Sequence, residues 1–247
     1  MNIVITGASK GLGKAMAVEF AQDKQGHHFF LCARHAAELE QTGKELQGRF
    51  PRTAIHTKTC DVSDKSSIQE FATWINSLTD NIDILINNAG IYLPGSAYGE
   101  ADGNLEKLME VNTYSAYHLT RLLLPGMMAV NPSTGSPKKP GQARGHIFNI
   151  CSIASLNAYP NGGAYGISKY AMYGFSKNLR EEMKPHGIKV THVLPGAVYT
   201  NSWSGSDIDP KRIMEAADVA KMVYTAAHLS PQACVEEIIM RPQLGDL

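Results

Sequence analysis

A doubly wound α/β fold, with about seven parallel strands and helices on both faces, is predicted for this chain by three observations. Short, nearly continuous apolar runs of strand length recur along it, helix-length segments separate them, and the first run passes straight into a Gly-rich turn. Strands covered on both faces read as unbroken apolar stretches, and parallel neighbours need a crossover long enough to hold a helix.

The strands are expected at Ile3–Ile5, Phe29–Ala33, Ala54–Thr59, Ile82–Ile86, His146–Ile150, Lys189–Leu194 and Val235–Met240. Asp64 and Ser66 stand ahead of the stripe Ile68, Phe71, Ile75 and Leu78, whose spacing marks the buried face of a helix. Val111-Asn112-Thr113 falls on a long central helix. A helix is expected from Gly162 and Gly163 to about Met183, ended by Pro185 and Gly187. Residues 131–141 are polar and turn-rich without apolar periodicity, so a surface loop is expected near 130–144. The alternative is a partner-docking loop. With no repeat and no linker, residues 1–247 are expected to form one domain.

With 43% hydrophobic residues and 23 acidic against 23 basic side chains, the chain has an ample core and no basic stripe, which excludes a nucleic-acid partner. The opening apolar run is too short for a signal segment or a membrane span, so no membrane is expected and a cytoplasmic location is. Cys32, Cys60, Cys151 and Cys234 lack paired metal-ligand spacing, so they are expected as buried reduced thiols and no metal site is expected.

Gly7, Gly11 and Gly13, in Thr6-Gly7-Ala8-Ser9-Lys10-Gly11-Leu12-Gly13, follow a strand and open a helix. That context suits a dinucleotide: glycines permit close backbone approach, and the helix N-terminus offers free N–H groups to a pyrophosphate. The second strand ends Ala33-Arg34-His35 with no carboxylate at its tip to accept ribose hydroxyls. Arg34 and Lys10 can instead pair with a 2′-phosphate, which predicts NADP(H). The alternative is that both are ordinary exposed cations. Asp61, before Val62, either accepts from the adenine amino group or caps the next helix.

Ser152 follows a strand, Tyr165 lies thirteen residues on, and Lys169 four further. A second Tyr-x-x-x-Lys, Tyr173 with Lys177, lacks the serine and reads as helix packing or surface. Reducing a carbonyl requires hydride at carbon and a proton at oxygen, and a tyrosine near pKa 10 is a sluggish partner at neutral pH. Lys169, with the positive nicotinamide, is expected to lower that pKa, while Ser152 bonds the carbonyl oxygen and fixes it for attack. Asn112 either holds a water linking Lys169 to solvent or is a polar helix residue with local bonds.

These residues, with Asn87-Asn88-Ala89-Gly90 after the fourth strand and Pro195-Gly196 with Thr200, resemble the short-chain dehydrogenase/reductase family in order from residue 2 to about residue 200. The resemblance implies a Rossmann fold and an oxidoreductase. It places Ser9, Lys10, Leu12, Asp61, Val62, Asn88, Ala89, Gly90, Pro195, Gly196, Val198 and Thr200 at the cofactor, with Tyr165 and Lys169 on the nicotinamide ribose. Arg34 matches the position marking NADP preference. A homodimer or homotetramer through the two long helices is implied. The ending Val235–Leu247, with Pro195-Gly196-Ala197-Val198-Tyr199-Thr200 and Trp203, is most similar to bacterial sepiapterin-reductase-like members.

The substrate is expected against Tyr92, Ile153, Tyr159, Tyr199 and Trp203, an aromatic lining suited to a flat ring, under a covering segment near 198–216. Trp203 is either a lid contact or packing. Asp246 is, by resemblance, the carboxylate that anchors the amino-pyrimidine edge of a pterin; the alternative is a frayed terminus. Simple ketones, quinones and 3-oxoacyl thioesters are other carbonyl substrates open to such a site. A non-catalytic NADP-binding regulator and an NAD-linked alcohol dehydrogenase are the rival classes, disfavoured by the intact Ser152, Tyr165, Lys169 and Asn112 set and by Arg34 with Lys10 respectively.

Overall fold

The computed structural model describes residues 1–128, 145–203 and 207–246. The elements run β1 (Asn2–Thr6), α1 (Gly11–Ala21), β2 (His28–Ala33), α2 (Ala36–Arg49), β3 (Ala54–Thr59), α3 (Lys65–Leu78), β4 (Ile84–Asn87) and α4 (Asn104–Met109). A π-helical turn, Glu110–Tyr114, joins α4 to α5 (Ser115–Met128), followed by β5 (Gly145–Ile150), α6 (Gly163–Met183), β6 (Ile188–Pro195), β7 (Val198–Tyr199), β8 (Met214–Glu215), α7 (Ala216–Ala227) and β9 (Glu237–Met240). The loop expected near 130–144 lies outside the described residues.

Seven parallel strands form one sheet in the order β3-β2-β1-β4-β5-β6-β9, and β7 pairs separately with β8. The apolar runs are unbroken because both faces are buried. Ile3, Ile5, Phe29, Leu31, Ile86 and Phe148 pack against Met16 and Phe20 of α1, Leu39 and Leu46 of α2, and Val219 and Val223 of α7. The alternate residues, Val4, Phe30, Leu85, Ile147 and Val190, meet Phe71, Ile75, Leu119, Leu123 and Leu179 from α3, α5 and α6. Leu78, the last member of the predicted α3 stripe, is 49% exposed, because the helix ends there.

Order reverses between β1 and β4: the chain builds outward through β2 and β3, then returns to the other side of β1. This leaves a crevice at the carboxyl ends of β1 and β4, where open α/β sheets receive ligands. α6 ends as predicted, with Pro185 in a 3-10 turn and Gly187 at φ +68°. Among the described residues no helix is long and apolar enough to cross a membrane.

Candidate active site

The Gly-rich turn leaves β1 with Gly7 at φ +64° and Gly11 at φ +57°. Gly13 has no room for a side chain, since a Cβ there would lie 2.3 Å from the Gly7 carbonyl oxygen and 2.6 Å from Asn88 Nδ2. Asn88 ties the turn to β4: its Nδ2 donates to the carbonyls of Thr6 (2.8 Å) and Gly7 (3.1 Å). Thr6 Oγ1 in turn accepts from the N–H groups of Asn88 (3.0 Å) and Ala89 (2.9 Å). Thr42 Oγ1 donates to the Ser9 carbonyl at 2.7 Å, fastening the turn to α2.

Arg34 is exposed at the end of β2. Asp61, at the end of β3, accepts on one oxygen from the Ser63 hydroxyl and N–H, and these bonds, with Arg34's charge adding, hold its carboxyl below the usual range. It does not cap the next helix. Asp64 does so, accepting from Ser66 N at 2.9 Å. Val62 packs at the edge of the core. Lys10 pairs with Glu38 at 3.2 Å, a carboxylate in the first turn of α2, one turn beyond the strand tip.

Ser152, two residues past β5, opens a single 3-10 turn and accepts from Ala154 N at 3.1 Å. Ser155 braces it by accepting from Ser152 N (3.3 Å) and donating to the Lys169 carbonyl (2.8 Å). One turn apart on α6, Lys169 Nζ lies 5.9 Å from the ring centre of Tyr165 and donates to the Ile150 carbonyl at 3.0 Å. Lys169 is buried, and burial lowers its pKa. Without a nicotinamide beside it, Tyr165 has a raised pKa: desolvation outweighs the hydrogen bond with Ser152 that favours the phenolate. Burial also pushes the Cys151 thiol up to about 12, and the four cysteines are free thiols.

Asn112 sits in the π-helical turn. Its Oδ1 accepts from Ile91 N (2.8 Å) and its Nδ2 donates to the Ile91 carbonyl (3.0 Å) and Ser168 Oγ (2.9 Å). Both amide hydrogens are taken, and the side chain clamps the segment after β4 onto α6. Tyr173 packs edge-on against His192 and bonds Glu237, the structural role expected of it.

A cleft of about 880 Å³ joins these parts. Leu12, Asn88, Gly90, Tyr92, Ser152, Ile153, Tyr159, Tyr165, Lys169, Pro195, Gly196, Val198, Thr200, Trp203 and Asp246 all line it. Tyr92 meets Tyr165 edge-on at 4.9 Å, and burial raises the pKa of Tyr159. Tyr199 does not line the cleft: successive strand residues face opposite ways, so Val198 points in and Tyr199 lies 46% exposed. Asp246 is not frayed. Arg212 donates to the carbonyls of Gly245 (3.0 Å) and Asp246 (3.1 Å), and Arg241 pairs with the Asp246 carboxylate.

Glu100 ties the segment after β4 to α6. Its Oε1 accepts from Ala164 N at 3.0 Å, in the first turn of α6, while its Oε2 is buried without a hydrogen-bond partner. Gly95 and Gly163 make room for it: a Cβ on Gly95 would lie 2.6 Å from Glu100 Cβ, and one on Gly163 2.9 Å from Glu100 Oε1. Glu38, Arg212 and Glu100 belong to no motif. Only Glu38, a carboxylate close after the second strand, carried a signal that the sequence could have shown.

A parallel sheet with a glycine turn at its reversal point, and a serine, tyrosine and buried lysine converging below it, defines a nucleotide-dependent oxidoreductase. The model of the short chain dehydrogenase family matches residues 1–210, and the chain belongs to that family. It is 32% identical over 251 residues to the sepiapterin reductase of Chlorobaculum tepidum, covering 99% of this chain and 97% of the relative. Among solved structures, a metagenomic short-chain oxidoreductase in complex with NADP is 28% identical with a TM-score of 0.81, over 98% and 97% of the two chains. Serine dehydrogenase from Escherichia coli is 27% identical with a TM-score of 0.81, over 100% of both.

Proposed function

We propose that the chain is an NADPH-dependent carbonyl reductase acting on the side-chain ketone of a pterin. The observation that carries the reading is the convergence of Ser152, Tyr165 and Lys169 in one cleft. In reduction the Tyr165 phenol gives its proton to the carbonyl oxygen, and in oxidation the phenolate takes one.

The glycine turn, with its two positive-φ residues and the Gly13 gap, fits a pyrophosphate laid against backbone. Arg34 and Lys10 are the partners for a 2′-phosphate, and the solved relative with NADP supports this. Asp61 and Val62 flank the adenine, Asn88, Ala89 and Gly90 the nicotinamide ribose, and Pro195, Gly196, Val198 and Thr200 the nicotinamide. The cofactor, when bound, supplies hydride. Ser152 bonds the carbonyl oxygen, Tyr165 gives it a proton, and the Lys169 ammonium stabilises the phenolate that remains. Asn112 positions the segment leading to Tyr92.

Tyr92, Tyr159 and Trp203 offer rings and Ile153 an apolar surface to a planar substrate, the described parts of the covering segment, 198–203 and 207–216, lie over it, and Asp246 accepts from its amino-pyrimidine edge. The curated sepiapterin reductase relative supports this substrate. Association through α5 and α6 is supported by the exposed Tyr114, Tyr117, Ile167 and Tyr170.

The test follows loss of NADPH absorbance with sepiapterin beside simple ketones, quinones and 3-oxoacyl thioesters, with Tyr165→Phe as control. Turnover of sepiapterin that the variant abolishes is expected. Turnover of other carbonyls without sepiapterin keeps the proton-transfer site and replaces the pterin with the general carbonyl or 3-oxoacyl reading. NADPH binding with no turnover of any carbonyl favours a regulator.

A further inference from the structure

One face of α2 is fastened along the Gly-rich turn and α1 at three consecutive points. Glu38 pairs with Lys10 (3.2 Å), Thr42 bonds the Ser9 carbonyl (2.7 Å) and Glu45 pairs with Lys14 (2.6 Å). These α2 residues are spaced four and three apart, which places them on a single helix face. The Thr42 bond is largely buried and fixes how α2 meets the turn, so the position of Glu38 beside Lys10 follows from the packing.

The consequence concerns charge. Lys10 and Arg34, the two cations assigned to a 2′-phosphate, share their surroundings with Glu38 and Asp61, so the four side chains sum to zero. Asp61 is engaged with Ser63, and its carboxyl already feels Arg34. Glu38 holds the ammonium that the phosphate needs.

We propose that Glu38 is a specificity-determining residue that competes with the 2′-phosphate of NADP(H) for Lys10. The role rests on the NADP(H) reading of this site. On binding, Lys10 turns from the Glu38 carboxylate to the phosphate, and the carboxylate stays beside a second anion. Both effects weaken the hold on the 2′-phosphate and hasten release of the oxidised cofactor, while a nucleotide lacking that phosphate meets neither.

Calorimetric titration of the full chain with 2′,5′-ADP and with 5′-AMP tests it. In Glu38→Gln, 2′,5′-ADP is expected to bind about three- to tenfold more tightly at low ionic strength, with the gain shrinking in salt and 5′-AMP unchanged. Glu45→Gln breaks the neighbouring pair on the same helix face and is expected to leave both affinities unchanged, which separates the role of Glu38 from loosening of α2. A wild-type preference for 2′,5′-ADP that Glu38→Gln leaves unaltered or weakens overturns the competition. Equal wild-type affinity for the two nucleotides overturns the NADP(H) reading itself and the role of Glu38 with it.

Discussion

Acidification should destabilise this protein through one histidine at the start of β5. His146 is 4% exposed, stacks on Phe148 at 3.9 Å and contacts Thr191 Oγ1 through Nε2 at 2.7 Å. The Thr191 hydroxyl donates to the Val235 carbonyl, so it must accept from His146, which fixes the neutral Nε2–H tautomer. The other nitrogen, Nδ1, is buried without a partner. Protonating it would bury an unpaired charge near Lys189 and Arg180, and burial first, then those cations, lower its pKa from 6.5 to about 3. Between those values the unfolded chain binds the proton and the folded chain does not, so the contribution is complete above about pH 6.5 and is lost as pH falls toward 3. At pH 5, one and a half units below the unfolded value, the loss is about 2 kcal/mol. Urea unfolding at pH 7.5 and pH 5, on the wild type and on His146→Gln, isolates the effect, because glutamine keeps the donor to Thr191. His192, also lowered chiefly by burial, acts in the same direction in both proteins. An equal loss of stability on acidification in wild type and variant would refute the reasoning.

Three further outcomes are expected. Gly13→Ala forces its Cβ toward the Gly7 carbonyl and should weaken NADPH binding by about tenfold or more in a fluorescence titration, as overpacking costs about 1–3 kcal/mol; unchanged affinity contradicts the close approach. Glu100→Ala removes the acceptor for Ala164 N–H and should lower stability by about 1 kcal/mol by urea unfolding, with Glu100→Gln retaining most of it. Arg212→Gln frees the C-terminal tail and should raise KM for the carbonyl substrate in steady-state assays while leaving KM for NADPH unchanged.

The strands were legible because burial on both faces leaves unbroken apolar runs, and every predicted strand is present. Boundaries moved where burial and pairing part company: Ile82 is fully buried yet precedes β4, and Val235 is held by the Thr191 hydroxyl ahead of β9. The two-residue strands β7 and β8 are too short to leave a pattern. Within the site, Ser152, Tyr165 and Lys169 stood out through spacing and position at a strand end. Arg212 and Glu100 did not, because each acts on backbone groups thirty-three to sixty-four residues away, a relation no local spacing records. The burial that raises the Tyr165 pKa was not legible, because charge is visible in a sequence and desolvation is not.

The joint around Glu100 binds three positions into one heritable unit. Gly95 and Gly163 are barred from gaining side chains: a Cβ on Gly95 would meet Glu100 Cβ at 2.6 Å, and one on Gly163 would meet the Gly95 carbonyl oxygen at 2.6 Å as well as Glu100 Oε1 at 2.9 Å. Replacing Glu100 alone strands the Ala164 N–H in the first turn of α6, and a side chain at either glycine wedges the joint apart. Because the closest obstacles are the Gly95 carbonyl and the Cβ at position 100, relatives that abandon the glutamate should still keep both glycines unless the backbone of the joint changes with them.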